Sequence, residues 1–449
     1  MTRSLAETLG AFVAETNFTA IPASVVTRAK VSLVHNLTMA MAGRKREQIA
    51  HTMAKTLWPM PEEATLLRDG TRVSMEAAAF ANGSLMHARS QDDTHADSTS
   101  HPGGAVMPAV FAVAEAEGRS GAEMLTAVVL GYETLGRIGR DFDHLVSGRG
   151  FRAAAVFGPF GAAAAAAKLF RLSGSETGHA IGLAAHLAGG LSQVWEEGSA
   201  EFALQLGFAA RNGILAARAA QAGATAARWI LEGKGGFFRA YAGASGPPEQ
   251  ALDRLGETWQ LSDVTVKAYP VCAILQGPVD AMLQIARSHD LNPTAVAEVV
   301  LWLSPYEASY PGIDNPGPFA SSTATKMSAQ YCVALALLDR RLTIDGLLRL
   351  ADTAIGAMAA RVSVVADPAL VSRLSRLQVR LTDGRLLSQE IASPVGRPSF
   401  DAIAQFARAM ASEMDVKPAA IDHLVKAVTE LEQAPDLSRL FDKVIFEAI

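Results

Sequence analysis

The chain has 449 residues, a formal net charge of -5, 49% hydrophobic residues and only 19% charged ones, material for two or three domains with large cores. It carries no basic block, which argues against a nucleic-acid partner, and an acidic chain that binds an anion must gather its few cations locally. Cys272 and Cys332 form neither a disulfide framework nor a zinc pattern and suit a reducing cytoplasm, and the longest apolar run, 153 to 167, is too short and too broken by Gly158, Pro159 and Gly161 to span a bilayer.

In chain order, Leu5, Leu9, Phe12 and Val13 fall at helical spacing over residues 3 to 16, with acidic residues where a signal peptide needs an apolar core. Residues 22 to 42 repeat the pattern from Pro22 and Ser24 through Val25, Val26, Ala29, Leu33, Leu37 and Met41, and Gly43 follows. Residues 46 to 58 form a third helix. The run 64 to 74 carries Asp69-Gly70 between short extended segments and reads as a hairpin. Beyond residue 104, helices are expected over 105 to 117 and 120 to 146, then over 153 to 172, 175 to 194 and 198 to 222. The last three are rich in Ala and Gly, which lets helix axes approach closely. No fixed period supports a solenoid.

Near residue 260 the texture changes. Residues 264 to 270, 295 to 305, 360 to 367 and 376 to 394 are rich in β-branched residues, and the last has Asp383-Gly384 at a hairpin turn. Helical patterns at 272 to 288, 323 to 338 and 343 to 351 lie between them. From Ser399 helices return, over 399 to 414, 418 to 432 and 436 to 446. The expected fold is mainly α: an all-helical domain from both chain ends, 1 to 262 and 398 to 449, with an α+β domain carrying an antiparallel sheet inserted at 263 to 397.

The densest chemistry lies in residues 81 to 108. Asp92, Asp93, Thr94, His95, Asp97, Ser98, Thr99 and His101 precede Pro102-Gly103-Gly104, and three of the ten histidines (His87, His95, His101) fall in this window. A polar loop between apolar helices is where sites tend to sit. The plainer reading is a solvated loop in which Asp97, Ser98 or Thr99 caps the next helix and His95 is wet. No G-x-G-x-x-G follows a strand, and there is no Walker sequence and no H-E-x-x-H. The spacing of Asp92, Asp93, His95 and His101 matches no standard metal pattern, so no metal is expected.

Lys267, in VKAYPVC beside Tyr269 and Pro270, could bind a carboxylate or act as a base; as a residue type it reads first as an exposed edge-strand lysine. Arg149 and Arg152 precede a helix start and either attract carboxylates or are merely solvated. Gly198-Ser199 reads as a helix start with Glu196 and Glu197 near its positive end, a plain cap. His179 and His186 read as core histidines, and Trp195, Trp229 and Trp302 as packing.

Together ANGSLMHARSQDDTHADSTSHPGGAVMP, AAAVFGPFGAAAAAAKLFRLS, VKAYPVCAILQGPVDAM, ATKMSAQYCVALAL and the DGR…SPVGRP hairpin, in that order, resemble the MmgE/PrpD family. That family includes 2-methylcitrate dehydratase, cis-aconitate decarboxylase and iminodisuccinate epimerase. The resemblance implies a helical domain with a smaller lid, a homodimer, and a cleft that handles small polycarboxylates. It implies proton transfer α to a carboxylate without nucleotide or metal, ending in loss of water, loss of CO₂ or inversion. It makes His101 the general acid/base, has Asp93 orient it or share its proton, and has Asp92 and Thr94 position substrate. Lys267 is the carboxylate clamp, aided by Arg152 or Arg89, with Ser90 and Tyr269 beside the substrate. Three positions depart from the pattern: Ser90, Arg152 and Phe202 stand where relatives carry Asp, His and Lys. The expected activity is a cytoplasmic, cofactor-free, dehydratase-like lyase with no nucleic-acid or membrane partner. An epimerase or a decarboxylase is the alternative, and a carboxylate-binding member without turnover is the competing class.

Overall fold

The computed structural model describes residues 3–58, 60–248, 250–391 and 396–445. It is mainly helical. The first helices are α1 (Leu5–Glu15), α2 (Ala23–Gly43) and α3 (Ile49–Leu57), followed by the two-residue strands β1 (Ala64–Thr65) and β2 (Arg72–Val73), which pair antiparallel as the Asp69-Gly70 turn requires. Then come α4 (Met75–His87), β3 (Thr94–His95), α5 (Pro102–Ala116), α6 (Gly121–Gly139), α7 (Asp143–Ser147), α8 (Ala153–Leu169), α9 (Gly174–Ala184), α10 (Gln193–Glu197) and α11 (Phe202–Gln221). No described helix is long and apolar enough to cross a membrane.

The small residues do what their size allows. A Cβ on Gly161 of α8 would lie 2.6 Å from the carbonyl oxygen of Gly131 on α6, and one on Gly207 of α11 would lie 2.3 Å from that of Phe80 on α4. Neither helix pair could approach this closely with any side chain at those points. The resulting core runs from Leu5 to Val266 and is completed by Ile403 to Phe441 from the C-terminal helices α18 (Phe400–Ala409), α19 (Ala411–Met414), α20 (Pro418–Thr429) and α21 (Ser438–Ile445), numbered after the six described next.

A second core holds the last four strands and their helices. Its members run from Val271 to Ile391, joined by Val194, Trp195, Phe202 and Ala203 from the helical part. Its elements are α12 (Gln276–Ser288), β5 (Val296–Leu303), α13 (Pro305–Ala308), α14 (Ser322–Met327), α15 (Ala329–Asp339), α16 (Ile344–Leu347), α17 (Thr353–Ala359), β6 (Val362–Ala366), β7 (Ser375–Leu381) and β8 (Leu386–Ile391), with β4 (Val264–Thr265) at the entry. The sheet order is β6-β5-β7-β8. The expectation of an antiparallel sheet holds for β5–β7 and β7–β8 only, since β5 and β6 pair parallel. A parallel neighbour needs a long crossover, and α13 to α17 supply it.

Other expectations need correction. The strand expected over 264 to 270 is two residues long; β4 pairs with β3 (Thr94↔Thr265, His95↔Val264), which ties the 88–101 loop to the start of the second core. Gly198 does not start a helix: at φ 71° it ends α10, and α11 begins at Phe202. The 323 to 338 helix divides at Ser328, whose side chain caps α15. His186 lies beyond α9 and is exposed, while Nδ1 of the half-buried His179 accepts from Ala226 N at 3.3 Å. Trp229 is exposed and not packed inside. Residues 392–395, in the predicted hairpin and its SPVGRP tail, and residue 446, at the end of the last predicted helix, lie outside the described residues.

Candidate active site

The loop after α4 is buried, not solvated: residues 89 to 95 are all at most 5% exposed. His87 closes α4. Ser90 then takes φ 57°, a left-handed conformation rare for a residue with a Cβ, and the chain turns back on itself. This turn brings the Asp92 carboxylate to 2.8 Å from His87 Nδ1. His87 Nε2 in turn accepts from Arg152 Nη2 at 2.5 Å, at the start of α8. The proton of His87 is thereby fixed on Nδ1. Burial and the charge of Arg152 hold His87 well below the usual histidine range, so the ring is neutral between a carboxylate and a guanidinium. Sequence reasoning gave His87 no role; nothing in its spacing marks it beyond its place five residues before Asp92.

His101 opens α5. Its Nδ1 donates to the backbone carbonyl of Asp93 at 3.0 Å, with Thr94 Oγ1 at 3.3 Å and Asp92 Oδ1 at 3.7 Å. That bond leaves Nε2 as the nitrogen free for chemistry. Burial and nearby Lys267 push its pKa well below the usual range, so it stands ready as a base.

Asp93 differs from expectation. Its carboxylate does not touch His101. Oδ1 accepts from Gly103 N at 2.8 Å, in the first turn of α5, and Oδ2 accepts from the Tyr132 hydroxyl at 2.7 Å. It is a helix cap reaching in from the preceding loop. Burial raises its pKa to about 6. The residues expected to cap this helix are used elsewhere. Asp97 pairs with Arg140 at 2.7 Å, Thr99 donates to Asp143 at 2.6 Å, and Ser98 bonds His95, which is buried and not wet.

Lys267 is not an exposed edge residue; it is 2% exposed. Its Nζ donates to Ser90 O at 2.6 Å and lies 4.0 Å from Asp92. Burial lowers its pKa to about 8. Arg152 is equally buried, donates to the carbonyl of Phe202 at 2.5 Å and stacks over Trp195 at 4.7 Å, so Trp195 is more than packing. Phe202 packs edge-on against His87.

These groups surround one small cavity. Its walls include Ser90, Thr94, His101, Arg152 and Lys267 from the expected set, with Thr99 from the same loop and Cys272, Tyr310 and Arg373 from the second core. Four expected residues do not line it: Asp92 and Asp93, whose carboxylates bond His87 and Gly103, and Arg89 and Tyr269. Arg89 is spent on Gln91 (3.1 Å) and Glu413 (2.7 Å), and Tyr269 donates its hydroxyl to Asp280 at 2.8 Å; neither lines the cavity.

One family covers this arrangement from end to end. The MmgE/PrpD N-terminal domain matches residues 7–250, and the MmgE/PrpD C-terminal domain matches residues 269–431. The chain belongs to the MmgE/PrpD family. Within it, cis-aconitate decarboxylase of Aspergillus terreus (strain NIH 2624 / FGSC A1156) is 30% identical over 340 residues, 72% of this chain and 69% of that protein. Cis-aconitate decarboxylase of Homo sapiens is 29% identical over 305 residues, 65% of this chain and 60% of that protein. The MmgE/PrpD cavity described here has no Asp or Glu among its lining residues, and three cations on its wall. His87, Asp92 and His101 do bring one ligand atom each within 4.8 Å of one another. Arg152 and Lys267 stand against that trio, so the surroundings suit an anion better than a dication.

Proposed function

We propose that this chain is a lyase that removes a proton α to a carboxylate of a small di- or tricarboxylate, using no nucleotide or metal. The observation that carries this reading is the pairing in one cavity of a neutral imidazole, His101, with a buried ammonium, Lys267. Nε2 of His101 takes the proton. Lys267 holds the carboxylate and stabilises the enolate-like charge that develops as the proton leaves. Arg152 adds positive charge and keeps His87 neutral through its hydrogen bond. Thr94 and Ser90 offer hydroxyls to the bound acid, while Asp92 holds Lys267 and the two histidines in place.

Loss of CO₂, in which the C–C bond breaks and a proton returns to the carbon by way of His101 Nε2, is the outcome that similarity to the decarboxylases supports; loss of water, in which Nε2 takes the α proton as hydroxide leaves as water, is the other. In both, the second core acts as a lid over the helical part, with boundaries at residues 1 to 262, 263 to 397 and 398 to 449. The two separate hydrophobic cores support this division. We further propose a cytoplasmic homodimer, to be checked by sedimentation.

The deciding experiment is NMR in deuterated buffer with cis-aconitate, citrate and an iminodicarboxylate. Turnover of one acid, with deuterium appearing on the reacting carbon, is expected. Absence of both turnover and exchange across the panel, with wild-type protein, sinks the catalytic reading.

A further inference from the structure

Arg373 enters the cavity from the loop that leads into β7, and its setting is unlike that of a surface arginine. Its backbone sits at φ 69°. Glu307, itself 1% exposed, anchors that backbone: its Oε1 accepts from Arg373 N at 2.9 Å and from the Ser372 hydroxyl at 2.9 Å. The guanidinium does not complete the pairing. Its Nε lies 4.0 Å from Glu307, beyond hydrogen-bond reach, and its Nη1 is buried with no partner among the described residues. The side chain is 11% exposed. A buried donor left unsatisfied is costly unless something fills the place.

Arg373 lines the same cavity as His101 and Lys267, and with Lys267 it also lines a small neighbouring space. Among the described residues, no carboxylate lines either space. Arg152 is already committed to His87 and Phe202, and Lys267 to Ser90. Arg373 therefore has the most unspent hydrogen-bonding capacity of the three cations, in a fork suited to a carboxylate.

We propose that Arg373 binds a second carboxylate of the substrate, distinct from the one held by Lys267, and so restricts the site to di- and tricarboxylates. This rests on the reading of the cavity as a carboxylate site. It supplies from the second core a cation that Phe202 does not.

The test is calorimetric titration of wild type, R373Q and R373K with propane-1,2,3-tricarboxylate, which mimics such a substrate, and with butanoate, which has one carboxylate. R373Q is expected to weaken the tricarboxylate by at least about tenfold and to leave butanoate unchanged, with R373K recovering part of the loss. Wild-type binding of the tricarboxylate with R373Q within about twofold of it overturns the assignment of Arg373 alone. Wild type that binds neither acid overturns the carboxylate-site reading as well. Should R373Q fail to fold, R373K carries the comparison: an ammonium cannot make the forked contact, and unchanged tricarboxylate affinity in R373K overturns the assignment.

Discussion

His101 is held through Nδ1 by a backbone carbonyl, which no side-chain substitution can remove. H101Q should therefore lose kcat by about 10²–10⁴-fold while still binding the unreactive tricarboxylate, because the general acid/base is gone and the cations remain. Retained turnover in H101Q would remove the residue from the mechanism. The buried series Asp92, His87, Arg152 yields a second expectation. H87Q cannot place an N–H toward Asp92 and an acceptor toward Arg152 in the same geometry, so it should cost about 1–3 kcal/mol and lower Tm. An unchanged melting curve would refute the coupling. At this scale the sequence was readable in part. The types and clustering of Asp92, Thr94, His101 and Lys267 marked the site. The direction of each side chain was not readable: Arg89 and Arg152 are both arginines near the same loop, yet only the backbone path shows that one faces Glu413 and the other the cavity.

Among the elements, α5 depends on a cap supplied from outside its own turn. D93N keeps the shape but replaces one acceptor with a donor facing Gly103 N or the Tyr132 hydroxyl, and should destabilise the fold by about 1–3 kcal/mol. The pH dependence has a definite sign. Burial raises the Asp93 pKa from 3.8 to about 6. Between those values the folded state binds the extra proton, so this group adds stability as pH falls from 7 through 6 toward 3.8, and none of that gain is present above 6. The stability gap between wild type and D93N should widen over that window; a gap constant with pH would refute it. Helix positions were legible because apolar periodicity and small-residue runs report directly on packing. The misreadings at Gly198 and Ser328 have local causes that were overlooked: a glycine in the αL conformation ends α10, and a serine N-cap divides the next helix and starts α15. The β5–β6 parallel pair was hidden for a different reason, since β-branched runs look alike whichever way their neighbour points.

The molecule as a whole brings its reactive pair together from distant parts of the chain. Lys267 has a pKa of about 8 and binds an anion only as the ammonium. Affinity for the tricarboxylate should be flat below about 8 and fall as pH rises through it, and K267R should keep affinity across that range, because guanidinium stays charged. Equal pH profiles for the two proteins would contradict this. The change of texture near residue 260 made the two-part organisation readable, whereas Trp195 and Phe202 join the second core across the chain and left no local trace. The β3–β4 ribbon has a further consequence. Lys267 and the Ser90 carbonyl it grips are 177 residues apart in the chain. During synthesis at about 5–20 residues per second, the first half waits on the order of ten to thirty seconds with its polar pit unroofed. A ribosome-bound intermediate of that age should be a client for chaperones, and two separately made halves of the protein should recover activity only when mixed.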